Sequence, residues 1–527
     1  MRPPRVLTTL AAGLGLLLAA LTAPPAHARA DDSATPPQWR SYWVDAFNPG
    51  IYTPTQVTAL VEDALDLNAN VLIVQTARRY DCFCNNALYP RTDAAIAPAP
   101  YDPLAEVVRQ GHAAGLQVHA WVNVNTMWNS STPPRSPDHV FNQHGPSATG
   151  ADRWLNKKAN GQELVGANAY VDPGHPAAVD YIVRGVQSIV RNYDVDGVNL
   201  DYIRYPDGSS TTTHSDWGYN AVSVARFQQA TGRTDVPLPS DAAWSDWRRG
   251  QVTQLVRRIY LGVWEVDPRA RLSMDAITYG HGPQAVGGWQ ATRTYSEVLQ
   301  DWAGWLDEGI MDTAVTMNYK RNWNPDQARM FSEWSEFLTD HQGERQAVNG
   351  PALYLNGVED SLSQVKEALS PSAAGNTAAG WSGYSYATPS KDVAAGGLEA
   401  ERAKLVQALT TGEDAPFGDE AAVPGMPWKT APRDGHVTGR LQLRGGGPLD
   451  QVPVTLTPLT GPGPGPGPKV TRLSDGSGWF GFAHVEPGLY LLSLSLPEGV
   501  IGVPKTVVRV TKGSIATSTF PPFLAMP

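Results

Sequence analysis

The run Tyr193–Pro206, YDVDGVNLDYIRYP, contains the residue best placed in this chain to do chemistry. Its centre reads as a strand. Side chains alternate along a strand, so Gly197, Asn199 and Asp201 share one face, and Val198 and Leu200 share the other. In a parallel α/β barrel one strand face points into the lumen, and reactions run at the C-terminal strand ends. Asp201 is expected there. Asp196, five residues earlier, falls at the opposite end and reads as a turn residue before Gly197.

Other strand-like runs bring suitable partners. VHAWVNVN places His119, Trp121 and Asn123 on one parity against Val118, Ala120 and Val122. His119 is either a satisfied interior histidine or a hydrogen-bond donor to a sugar or to Asp201. YWVDAFNPG ends with Trp43 and Asp45 on one face. LSMDAITYG supplies Asp275, and DTAVTMNYKRNW ends with Asn318, Tyr319 and Trp323. GWSGYSYA brings Trp381, Tyr384 and Tyr386, and Tyr205 stands four residues after Asp201. The expected site therefore collects acids, amides and rings, with few lysines. Two carboxylates across a sugar-sized cleft suit glycoside hydrolysis. One protonates the leaving oxygen, and the other attacks the anomeric carbon or activates water. Their proton affinities must be pushed apart. Asp275 and Asp45 are the candidate partners of Asp201, and the rings near strand ends are candidate sugar platforms. No G-x-S-x-G elbow, H-E-x-x-H or P-loop signature occurs, and the histidines lack metal-ligand spacing. No metal or cofactor is expected.

The elements that would hold these residues are legible between Trp39 and about Gly412. Strands are predicted at Ser41–Asp45, Asn70–Thr76, Gln117–Asn123, Asp196–Asp201, Arg271–Ile277, Asp312–Asn318, Gln346–Tyr354 and Ala379–Ser385. Amphipathic helical stretches include Thr55–Leu67, Leu104–Ala114, Ala177–Asn192, Trp247–Val266 and Ser361–Leu369. Pro54 and Pro103 stand near helix starts, and Gly115 stands where a helix would end. Eight strand–helix units in one unbroken region predict an α/β fold, a (β/α)8 TIM barrel over residues 39–412. The long connections Thr126–Gly166 and Pro206–Ala242 leave C-terminal strand ends, where they would form cleft walls or lids.

The segment 413–433 reads as a Pro/Gly-containing linker. From Asp434 the pattern becomes period-two with turn residues between the runs, predicting a small all-β sandwich over residues 434–527. Its Gly461–Pro468 run, GPGPGPGP, reads as a low-complexity hairpin loop. Asp475, Gly478, Phe480, Phe482, Pro487, Gly488, Tyr490 and Leu491 fit a DxxGxFxF…PGxYxL pattern. That pattern resembles the carboxypeptidase-regulatory-like, prealbumin-type β-sandwich.

A second resemblance covers Trp39 to about Pro389. RSYWVDAF, VLIVQTARRY…ALYP, VHAWVN and above all DGVNLDYIRYP resemble the glycosyl-hydrolase-like 10 family. The resemblance implies an exported barrel and a glycan hydrolase, with bacterial wall glycan as one substrate class. It carries Asp201, His119, Trp121, Asn123, Tyr205, Asn318 and Tyr319 into the site. The chain departs from the family pattern at MDAITYG, which bears on the second carboxylate, and at the C-x-C of Cys82 and Cys84.

Charge and termini bound the partners. Arg2 and Arg5 precede an apolar Val6–Leu21 run and an A-x-A stretch at Ala26–Ala30, a secretory leader over residues 1–30. Residues 31–38 form a short linker. The formal charge is −10 and grows more negative once Arg2, Arg5 and Arg29 leave with the leader. An acidic chain repels nucleic acid and anionic lipid, so neither is an expected partner. Cys82 and Cys84 are the only cysteines. They are compatible with a local disulfide, with free thiols or, given two further ligands, with a metal.

The leading expectation is a secreted glycoside hydrolase acting on a polysaccharide such as peptidoglycan, with association to the cell wall as one localisation. Its alternative is a non-catalytic carbohydrate- or wall-binding barrel. Deacetylase or lyase chemistry ranks third. The C-terminal domain would serve either attachment to the wall or stabilisation of the barrel.

Overall fold

A computed structural model describes residues 35–459 and 468–526. The expected leader and nearly all of the GPGPGPGP loop lie outside the described residues.

Eight parallel strands close a barrel: β1 (Trp39–Val44), β2 (Val71–Ala77), β3 (Gln117–Asn123), β4 (Gly197–Asp201), β5 (Arg271–Ile277), β6 (Thr313–Asn318), β7 (Gln346–Pro351) and β8 (Gly380–Tyr384). Each neighbours the next in chain order. Closure comes from β1 against β8, with Trp39 opposite Gly380 and Trp43 opposite Tyr384. A helix follows each strand: α1 (Pro54–Asp66), α2 (Pro103–Ala113), α3 (Pro176–Asn192), α4 (Ala242–Val266), α5 (Trp302–Glu308), α6 (Pro325–Asp340), α7 (Val358–Leu369) and α8 (Leu398–Thr410). The chain is a (β/α)8 barrel.

Local chemistry sets these boundaries. Thr53, Asp102, Asp241 and Asn324 cap the N-termini of α1, α2, α4 and α6 by accepting from backbone N–H groups, and proline opens α1, α2, α3 and α6. Gly115, just past α2, adopts φ +80°, a conformation that favours glycine. Strand alternation divides the core in two. Trp39, Trp43, Val71, Ile73, Trp121, Val315 and Val348 fill the lumen. Tyr42, Val44, Leu72, Val74, Leu200 and Trp381 pack outward with the helices.

Two connections enlarge the barrel on the side where the strands end. The segment between β3 and α3 carries a small antiparallel sheet of Thr126–Asn129, Asn168–Tyr170 and Leu164–Val165. The segment between β4 and α4 carries the helix Ala221–Thr231. Cys82 and Cys84 are joined in a disulfide with a Cα–Cα distance of 5.0 Å. Among the described residues no helix is long and apolar enough to cross a membrane.

The C-terminal region is β-rich. Gly435–Arg440 pairs antiparallel with Trp479–Val485 and parallel with Ile515–Thr519. A four-stranded antiparallel sheet runs Val470–Leu473, Pro453–Pro458, Gly488–Leu494, Lys505–Val510. Val437, Phe480 and Phe482 of the first sheet share one core with Val454, Leu456 and Leu492 of the second. This region forms one compact unit with the barrel. Arg226 pairs with Asp450 through two N–H donors at 2.6 and 2.8 Å. Arg258 reaches Asp475 at 3.0 Å, and the Trp264 indole donates to the Gly513 carbonyl.

Candidate active site

Asp201 ends β4 and Asp275 is the fifth residue of the neighbouring β5. Both face the lumen, and both are buried. Each carboxylate receives an indole N–H from another strand. Trp43 of β1 donates to Asp275 Oδ1 at 3.1 Å, and Trp121 of β3 donates to Asp201 Oδ2 at 3.3 Å. The Tyr202 backbone N–H donates to Asp201 Oδ1 at 2.7 Å.

The two acids do not share one environment. Burial raises Asp201 to about 6, held back by the Arg204 guanidinium, the Tyr202 N–H and the Trp121 indole. Burial raises Asp275 well above the usual carboxylate range, and the neighbouring Asp201 charge raises it further. Arg204 acts on Asp201 and is not among the groups that lower Asp275. The Arg204 charge therefore favours ionisation of Asp201, and the charge of Asp201 in turn disfavours ionisation of Asp275.

The rest of the mouth is divided by chemistry. On the β6–β8 side stand rings. Tyr319 lies 6.4 Å from Trp43 and 5.2 Å from Tyr384, centroid to centroid, and Tyr354 lies 6.3 Å from Tyr319. Trp323 stands farther out, its indole N–H on the Leu355 carbonyl. On the β4–β5 side stand charges. The buried Arg204 guanidinium sits 4.7 Å over the Tyr202 ring, and the Tyr279 hydroxyl donates to Asp207 at 3.2 Å. Lys320 donates to the Thr278 carbonyl, and burial lowers it to about 8.

Several expected site residues lie elsewhere. His119 faces the lumen but one layer down, opposite Gly197 and edge-on to Trp39 at 4.9 Å. Fully buried beside Arg271, it is lowered to about 3 and is a neutral interior group, not a donor to Asp201. Tyr205 is buried with its hydroxyl on Asp172. Asn318 donates to the Phe331 carbonyl, Ser335 and Asn349, joining α6 to β6 and β7. Trp381 points outward under the helices, against Phe417 and Tyr42. Asp45 Oδ1 accepts from the Phe47 N–H and from the Asn48 backbone and side chain, closing its own turn. Asn123 stands level with Asp201 and accepts from Gln75, and Asn199 donates to Ser273 just below the acids.

Arg204, Tyr202 and Tyr354 join the mouth without having been singled out in the sequence. The first two lie inside YIRYP, beyond the strand end where period-two parity stops. Tyr384, named in the sequence beside Trp381, is the ring that β8 turns to the mouth, because it pairs with Trp43 across the barrel closure. Among the described residues no three His, Cys, Asp or Glu side chains are grouped to hold a metal.

Comparisons with known proteins agree with the barrel. Glycosyl hydrolase YngK of Bacillus subtilis (strain 168) is 27% identical over 272 residues, 49% of this chain and 48% of its own. Glycosyl hydrolase DigH of Escherichia coli (strain K12) is 24% identical over 233 residues, 42% of this chain and 46% of its own. The chain thus spans about half the length of these curated relatives. The PgaB (BpsB) glycoside hydrolase domain from Bordetella bronchiseptica matches with a TM-score of 0.50 at 16% identity, covering 71% of this chain and all of that domain. At that identity the likeness speaks for the fold alone. The family model described as Glycosyl hydrolase-like 10 matches residues 38–345, more than half of the chain, and takes in β1 to β6 with both acids. The chain belongs to the glycosyl hydrolase-like 10 family.

Proposed function

We propose that this protein is a glycoside hydrolase acting on a polysaccharide, with Asp275 as general acid and Asp201 as the ionised carboxylate. The observation that carries the proposal is the split pair. Two buried neighbouring acids stand at the C-terminal end of the barrel with unequal proton affinities. Asp275 delivers its proton to the glycosidic oxygen as the C–O bond breaks. Asp201 meets the electron-poor anomeric carbon, either directly or through the water it deprotonates. The two indole donors fix both carboxylates, and the ring wall of Tyr319 and Tyr384 offers apolar surface to a sugar face.

Bacterial wall glycan is the substrate class we favour, on the resemblance of DGVNLDYIRYP and VHAWVN. The leader-like N-terminus supports action outside the cell. We read the C-terminal region as a prealbumin-type sandwich, on its Asp475–Leu491 pattern and two sheets around one core, and assign it wall attachment. The net negative charge of the chain disfavours nucleic acid and membrane as partners.

Mass spectrometry of products from denuded peptidoglycan strands and a polysaccharide panel tests this reading. Asp275→Asn and Asp201→Asn should each lower turnover on the order of 10³-fold. Wild-type-like cleavage by Asp275→Asn would remove it as the acid. Strands bound but not cleaved by the wild type would make the barrel a glycan-binding protein.

A further inference from the structure

The mouth exposes two aromatic rings that the acid pair does not use. Trp323 is 55% exposed and Tyr354 is 39% exposed. A tryptophan left half in water forgoes about half of the stabilisation that full burial would bring. Trp323 is nevertheless held in place. Its indole N–H donates to the Leu355 carbonyl at 3.1 Å, and the neighbouring Asn322 N–H donates to Asn356 at 2.8 Å. The 3-10 turn that carries Tyr354 and Leu355 thus anchors the Trp323 loop.

These rings continue the wall that begins at the acids. Trp43 holds Asp275, Tyr319 lies 6.4 Å from Trp43, and Tyr354 lies 6.3 Å from Tyr319. Exposure increases outward along the series, from Trp43 at 1% to Trp323 at 55%. Such a line of rings suits successive apolar sugar faces, whereas a single sugar at the acids would not reach its end.

We propose that Trp323 and Tyr354 form a distal sugar platform, making the site one for a glycan chain of several units that extends over the ends of β6 and β7. The inference rests on the hydrolase reading only for its kinetic test. Trp323 and Tyr354 act on chain length and stand apart from the bond-breaking step.

The test uses the full chain, with denuded peptidoglycan strands and the disaccharide and longer oligosaccharides prepared from them. Trp323→Ala should lower kcat/KM at least tenfold on strands and long fragments, leaving the shortest cleaved fragment unchanged. Trp323→Phe should recover part of the loss. The Asp275→Asn background separates binding from turnover. There, Trp323→Ala should weaken strand binding by a similar factor. Equal kcat/KM for Trp323→Ala and wild type at every length overturns the platform and leaves the hydrolase standing. Strand binding that depends on Trp323, with no cleavage by the wild type, supports the platform and overturns the hydrolase. Absence of both binding and cleavage overturns both readings for this glycan.

Discussion

Arg204 separates two acids that would otherwise compete on nearly equal terms. Both are buried, and each accepts one indole N–H. The Arg204 guanidinium breaks that symmetry by favouring the ionised form of Asp201. Activity should therefore fall as pH drops below about 6, where Asp201 protonates. Arg204→Met should move that acidic limb upward by about one pH unit, read in the pH dependence of kcat/KM. An unmoved limb would show that the Arg204 charge does not act on Asp201. The same burial makes a stability prediction. A carboxyl whose folded pKa exceeds its unfolded value, about 4, is best tolerated when protonated, so stability is lost as pH rises towards the folded pKa. Asp275→Asn removes that penalty. It should be more stable than wild type at pH 7–8, with the gap closing towards pH 4. Thermal melts across that range give the answer.

Among the elements, the junction of β6, β7 and α6 shows how a polar residue at a strand end holds the site without joining it. Asn318 gives its amide to the Phe331 carbonyl, Ser335 and Asn349, all buried. Asn318→Ala removes these donations from a buried junction, where Ser335, Asn349 and Thr316 still serve the three acceptors, and should cost about 2 kcal/mol in a denaturant titration. The KM of the folded variant should stay unchanged. A KM rise without loss of stability would place Asn318 against substrate instead. This residue also marks what period-two reading can deliver. All eight strands were legible, because alternation and Gly/Pro punctuation are local properties. The inward direction of Trp43 and Trp121 followed from the same alternation. Depth along the lumen did not. His119 and Trp121 share a parity, but His119 sits one layer lower, opposite Gly197. Facing was also lost where no neighbouring register was known. Trp381 is turned outward by the pairing of Trp43 with Tyr384. Past the strand end, Tyr205 has no parity at all, and the chain carries it away to Asp172.

For the whole molecule, the barrel and the C-terminal region behave as one body because α4 is shared between them. Its Arg258, Tyr260 and Trp264 reach Asp475, His484 and Gly513 respectively. Nearby, the Arg345 and Gly309 groups of the barrel also engage His484. His436 packs edge-on to Trp264 at 4.4 Å, and its Nδ1 accepts the His484 N–H. Burial lowers both imidazoles, His436 to about 3, with His484, Lys429 and Arg345 adding to the effect at His436. Both are therefore neutral in the folded chain. A histidine with a depressed folded pKa stabilises the fold above its unfolded value, about 6.5, and that stability is lost as pH falls below it. Acidification should thus weaken the seam. Between pH 7 and pH 4.5 the His436→Gln variant should lose less stability than wild type, by on the order of 2 kcal/mol, in denaturant titrations at the two pH values. Equal losses would assign the acid sensitivity to the barrel histidines His119, His139 and His175, whose burial holds them at about 3, 4 and 4. A smaller loss in the variant would fix the seam as the acid-labile joint. The barrel mouth should then keep its pH–rate profile in His436→Gln: Lys429 and Asp312, which act on His436, lie at the N-terminal ends of β5 and β6, and no group of the seam is among those that shift Asp201 or Asp275.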